Sequence, residues 1–199
     1  MIRKEFFKGI RYPYITNASP NKRHDGINIA RAAYAVDSSV LETEFNEKNN
    51  PVFKLESLSR MQGFDSSDAH SALTDAILTS KILALIKKKQ PNTWDMFLQT
   101  ANKSETETIF KKEKIITLNE YFYGKSRLYV CAPLHSEYCI HPVYQWGQAV
   151  DLRANVEPLM NMSISELKIE MKKTPKFLRT IRSNKAPIIL DAKYGLRVE

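Results

Sequence analysis

Residues 65–89 read DSSDAHSALTDAILTSKILALIKKK. Within this run Leu73, Ile77, Ile82 and Ile86 recur at helical spacing and make an apolar stripe. Ser67 or Asp68 is placed to cap the first turn, and Lys87, Lys88 and Lys89 complement the negative end of the helix dipole. Gln90 and Pro91 end it. One long amphipathic helix is predicted, and its stripe needs other elements to be buried against.

Upstream, GINIARAAYAVD (26–37) puts Ile27, Ala30, Tyr34 and Ala35 at helical spacing, with Asp25 available as a cap. EFNEKNNP is a polar loop closing at Pro51, and VFKLESLSRMQGF is a short amphipathic stretch that Gly63 stops. Residues 1–22 mix basic and aromatic side chains with Pro13 and Pro20 and read as an irregular surface segment. Downstream, residues 93–114 read as a short helix and a connection. The period then switches: IITLNEYFYG, RLYVCAPL, YCIHPVYQW, QAVDL and PIILDA are short, β-branched and aromatic, and are punctuated by Gly124, Pro133, Pro142 and Gly147. This predicts a small antiparallel β domain over 115–199, interrupted by one helix in ISELKIEMKKT with Ser163 or Ser165 as cap. The expected class is α/β, with a helical portion over 1–92 and a β portion after the connection.

Composition narrows the function classes. The 199 residues carry 30 Lys+Arg against 22 Asp+Glu, a net charge of +8, and 43% hydrophobic residues, enough for a packed core. The longest apolar run, Ile82–Ile86, is far short of the ~20 residues a membrane-spanning helix needs, and the N-terminus has no signal-peptide core. Two cysteines are too few for a secreted disulfide scaffold. A cytoplasmic protein with reduced thiols and no membrane partner is expected. The basic surface favours polyanions, nucleic acid first among them.

The strongest chemical constellation is His70 with Asp75 in AHSALTD. Placed in the first turn and about a turn and a half later, neither belongs to the apolar stripe, and both can face one cleft. Histidine is suited to deprotonating water near neutral pH, and aspartate is a hard oxygen ligand for Mg²⁺. The plainer alternative is a polar first-turn histidine and a solvated carboxylate.

The segment FKLESLSRMQGFDSSDAHSALTDAILTSKILALIKKKQP resembles the last catalytic motif, H-x4-D, of the histidine-bearing DEDD-type 3′ to 5′ exonucleases, and within them the bacterial exonuclease I family acting on single-stranded DNA. RHDGINIARAAYA resembles an earlier helix of that family, RYPYITNASPNKRHD its DNA-contacting segment, and RLYVCAPLHSE with its surroundings its SH3-like domain. The resemblance implies the C-terminal part of an RNase H-like exonuclease domain (1–92), a connection (93–114) and an SH3-like β domain (115–199). It implies His70 as general base, Asp75 as the last of four acidic ligands to two Mg²⁺ ions, and Lys54, Tyr14, Arg31 and Ala72 near the bound strand. Lys54 replaces the family's usual arginine, keeping the charge and losing the bidentate fork. It further implies a role in DNA repair and recombination, docking to a single-strand-binding protein, and a monomer.

The family's D-x-E strand and next aspartate motif have no counterpart in these residues and are expected before Met1; its helical C-terminal domain is expected after Glu199. Asp25, Glu56, Asp65 and Asp68 lack the D-x-E spacing. The chain alone is therefore expected to be inactive, because Mg²⁺ is normally retained by more than one anionic group. A non-catalytic single-strand-binding fragment and a DEDD exoribonuclease are the competing readings.

Two further groups stand out. Cys131, His135, Cys139 and His141 lie close together, but no C-x2-C pair is present, so a hairpin with buried cysteines is expected rather than zinc. Tyr121, Phe122, Tyr123, Lys125, Arg127, Tyr129, Tyr144 and Trp146 interleave aromatics and cations as a single-strand groove does, with Lys125 and Arg127 the first candidates for DNA contact. The late basic cluster Lys172, Lys173, Lys176, Arg179 and Arg182 is expected to be a solvated face.

Overall fold

The computed structural model describes residues 2–12, 14–16, 20–64, 71–135, 141 and 143–196. Helices come first in the chain: α1 (Ile2–Lys8), α2 (Gly26–Val36), α3 (Leu55–Met61), α4 (Ala72–Lys89), α5 (Pro91–Leu98) and α6 (Lys103–Lys112). The strands follow as β1 (Ile116–Phe122), β2 (Lys125–Pro133), β3 (Gly147–Asp151), β4 (Leu178–Ile181) and β5 (Ile188–Asp191), with α7 (Ile164–Glu170) between β3 and β4.

Local chemistry explains the element ends. The Asp25 carboxylate accepts the Ile27 amide at 3.1 Å and starts α2. After α3, Gly63 takes φ +72° while its amide donates to the Arg60 carbonyl and that of Phe64 to Ser59, the pair of bonds of a Schellman stop. Ser163 and Glu166 form a reciprocal capping box on α7. Tyr123 and Gly124, at φ 51° and 80°, close the β1–β2 hairpin through the two-residue turn whose twist matches the strands.

The sheet is antiparallel with order β4-β3-β2-β1-β5, and its two faces do different jobs. Ile116 and Leu118 of β1, Tyr129 and Cys131 of β2, Ala149, Ile181 and Ile189 form one core among the strands. The opposite parity, Ile188 and Leu190 with Tyr194 beyond them, joins Ile29, Ala33, Leu58, Ile82, Ile86 and Phe97 in a second core that ties the sheet to the helices. Polar bonds cross the same junction: Gln99 Nε2 donates to the Ile189 carbonyl at 3.1 Å, and the Thr100 hydroxyl donates to the Pro187 carbonyl.

Several expectations change. Residues 1–22 contain helix α1 rather than irregular chain alone. The stretch 93–114 holds most of α5 and all of α6, and Phe97 is fully buried. The buried stripe of α4 is Leu78, Ile82 and Ile86, whereas Leu73 and Ile77 are 72% and 45% exposed; packing against α2 and α3 selects the face. In YCIHPVYQW the described residues, His141 and 143–146, form a turn and not a strand. The sequence 178–181 is strand β4, and within it Arg179 is inside the sheet rather than on a solvated face.

Candidate nucleic-acid interface

The amino end of α4 is set by Ser71. Its hydroxyl accepts the Thr74 amide at 3.0 Å and donates to the Thr74 hydroxyl at 2.7 Å, so the cap is Ser71 and not Ser67 or Asp68. His70, like Asp65 and Asp68, falls outside the described residues. Ala72 is the exposed first residue of the helix. Asp75 is half-buried, and the positions 75, 78, 82 and 86 share one face, so it continues the buried stripe rather than standing apart from it. It lines an open groove of about 670 Å³ with Thr79, Leu83, Lys87 and Trp94.

Among the described residues that line this groove, Asp75 is the one carboxylate. Among the described residues no group of three or more His, Cys, Asp or Glu could hold a metal ion. Asp25 is spent on capping α2, and Glu56 pairs with Arg60 at 3.8 Å. The described residues thus do not fit a two-Mg²⁺ site, which needs several carboxylates. Of the residues in the CAPLHSEYCIH run, Cys131 is fully buried, and burial pushes its thiol up to about 12. His141 Nδ1 accepts the Val143 and Tyr144 amides, both at 3.2 Å. Cys139 lies outside the described residues.

The cationic candidates gather elsewhere, where α2, the segment before α3 and the β1–β2 hairpin meet. The Arg31 guanidinium lies 3.6 Å from the centre of the Tyr121 ring, and Phe53 packs edge-on against both Tyr34 and Tyr121. Lys54 follows Phe53, exposed at the head of α3. Asn50 Nδ2 donates to the Tyr123 carbonyl at 3.3 Å and draws the hairpin onto this junction. Lys125 is exposed at the start of β2; Arg127 donates to the Phe122 carbonyl at 2.8 Å, which turns its guanidinium toward the hairpin tip. Arg31 and Lys54 adjoin the Tyr121 face of the hairpin, whereas Lys125 and Arg127 alternate onto the opposite face of the sheet, so the two pairs approach one another only at the hairpin end. Tyr14 is half exposed and meets Tyr12 edge-on at 5.9 Å, in a segment tied to α6 through the Lys22–Glu105 ion pair at 2.7 Å.

One ionic group has no signature in the sequence. Arg179 bridges Glu120 at 3.2 Å and Asp151 at 3.1 Å and stacks on Tyr129 at 3.7 Å, with its side chain only 12% exposed. Burial raises the Glu120 carboxyl above its usual range despite Arg179. At Asp151 burial also pushes upward, but hydrogen bonds from Arg153 and Arg179 outweigh it and the net shift is downward. Only the alternation of strand β4 could have pointed to Arg179, and that strand is four residues long.

No protein-family model matches the chain. In sequence it is 34% identical over 124 residues to exodeoxyribonuclease I of Buchnera aphidicola subsp. Schizaphis graminum, which covers 60% of the chain and 26% of that protein. The chain is similar to part of bacterial exonuclease I. Exodeoxyribonuclease I of Haemophilus influenzae is 27% identical over 211 residues, covering 97% of the chain and 43% of the relative. The chain thus spans less than half the length of these relatives. In fold it matches Escherichia coli exonuclease I, solved with a dT13 oligonucleotide, with a TM-score of 0.73 at 23% identity over 96% of the chain and 44% of the enzyme. Exonuclease I has also been solved as a complex with SSB-Ct and in a zinc-bound form with single-stranded DNA.

Proposed function

We propose that the chain is a portion of a 3′ to 5′ exodeoxyribonuclease that degrades single-stranded DNA in repair and recombination. The similarity to exodeoxyribonuclease I along 97% of the chain carries this reading. His70 would take the proton of the attacking water, and Asp75 would contribute one acidic ligand to a divalent-metal site, with Mg²⁺ the expected ion. The remaining ligands must come from outside the described residues, so no metal-dependent step is assigned to this chain. Its own contribution is to hold the strand. Lys54, Lys125 and Arg127 neutralise phosphates, Arg31 adds a charge pre-oriented by Tyr121, Tyr14 offers a stacking face, and Ala72 leaves room beside the cap of α4. A single-strand-binding protein is the expected partner, in the cytoplasm, with the chain a monomer. The lack of a carboxylate cluster among the described residues favours the second reading, a binding fragment without chemistry.

The test is Mg²⁺-dependent release of nucleotides from 3′-end-labelled single-stranded DNA, run beside a salt titration of binding. Salt-sensitive binding without release is expected. Release that His70→Ala abolishes would show a working site built from this chain alone and overturn the fragment reading. Absence of binding even at low salt would overturn the nucleic-acid assignment.

A further inference from the structure

At the end of β2 away from the hairpin, the turn leading into β3 builds a second aromatic surface. Tyr144 and Trp146 stack with centroids 4.3 Å apart and planes 14° from parallel, and the His141 ring stands 5.0 Å and 5.4 Å from them. The arrangement is held from several sides. His141 Nδ1 accepts two backbone amides, the Gln145 amide donates to the His141 carbonyl at 2.8 Å, and Trp146 Nε1 donates to Asn184 Oδ1 at 2.9 Å. Arg182 lies 5.4 Å from the Trp146 ring, on the exposed rim after β4. Tyr144 stays 54% exposed in spite of its stack on Trp146, so part of its ring is presented to solvent.

We propose that His141, Tyr144, Trp146 and Arg182 form a second base-stacking platform for single-stranded nucleic acid, separate from the Arg31–Lys54–hairpin junction. This rests on the proposed nucleic-acid function and gives it a direction. Strand β2 has nine residues, roughly 30 Å at about 3.3 Å each, and the two surfaces lie at its opposite ends. A bound strand is therefore led along the sheet, with phosphates toward the cations and one base on the outer face of Tyr144. Stacking needs only a π face, so this platform is indifferent to base identity. An aromatic ring rigidified in advance also loses little freedom when a base arrives.

The two tryptophans of the chain, Trp94 and Trp146, allow a direct test. In a Trp94→Phe background, Trp146 is the sole indole emitter. Titration with a dT oligonucleotide of about 20 residues is expected to quench its emission, and Tyr144→Ala is expected to weaken binding about fivefold to 100-fold, the loss of one stacked base. Tyr144→Phe is expected to restore binding, and Arg182→Ala to lower the salt slope by about one. Binding that Lys54→Ala and Lys125→Ala weaken, but that leaves Trp146 emission and the Tyr144→Ala variant unchanged, would overturn the platform and leave the nucleic-acid reading standing. An oligonucleotide that does not bind at all would overturn both.

Discussion

The Arg31 guanidinium carbon lies over Tyr121, 3.6 Å from the ring centre, and so joins helix α2 to strand β1 while keeping a positive charge near the hairpin. A planar cation can do both at once; an ammonium keeps the charge and loses the stacking. Arg31→Lys is expected to lower stability by about 1 kcal/mol in urea unfolding, with the salt slope of oligonucleotide binding unchanged. Arg31→Ala should lower both. A salt slope unaffected by the alanine would remove Arg31 from the DNA track.

Ser71 defines where α4 begins and hence where Asp75 sits, since the Asp75 amide bonds back to the Ser71 carbonyl at 2.9 Å. Ser71→Ala is expected to cost about 1 kcal/mol, while Ser71→Asp keeps the cap and should stay near the parent. Equilibrium denaturation of the two variants measures the difference.

Cys131 is a buried thiol whose ionisation is pushed from 9.0 to about 12, by burial first and the Asp151 charge second. In a Cys139→Ser background it should resist a thiol reagent at pH 8 until urea unfolds the chain. Ionisation favours the unfolded state, where the thiol titrates first. The stability contribution of this group is full below pH 9 and is lost as pH rises toward 12, which alkaline unfolding curves of parent and Cys131→Ala would reveal.

Removing Arg179 leaves Glu120 and Asp151 together without their shared cation. Arg179→Met is expected to destabilise by about 3–5 kcal/mol, far more than loss of an exposed pair such as Lys8–Glu5. Because burial raises the Glu120 carboxyl, its folded form prefers the proton, and the associated stability is present in acid and lost as pH rises through that pKa. Glu120→Gln keeps the neutral form at every pH. Its stability relative to the parent should therefore improve between pH 4 and pH 7; an unchanged difference would contradict the assignment.

Much of the site is legible in the amino-acid sequence. The H-x4-D spacing and the Lys125–Arg127 pair are read from a few neighbouring residues, whereas Arg31 and Lys54 are named only through the resemblance to exonuclease I. Arg179 is not legible, since a lone arginine among Lys172, Lys173, Lys176 and Arg182 gives no sign that β3 and β4 will close over it. Nor does spacing reveal that His141, Tyr144 and Trp146 form one surface, as the turn that assembles them depends on backbone bonds back to His141.

The division follows the range of the forces involved. The sequence by itself determined several caps and stops, Asp25 ahead of α2, Gly63 after α3 and Ser163 as one of two candidates ahead of α7, though not the Ser71 cap of α4. Backbone torsions and first-turn amides answer to side chains at most a few positions away. Only the tertiary structure decided which stripe of α4 turns inward, that Asp75 shares it, and that Arg31 meets a ring 90 positions along the chain. Burial and stacking are settled between distant segments, where several local patterns compete and packing selects one.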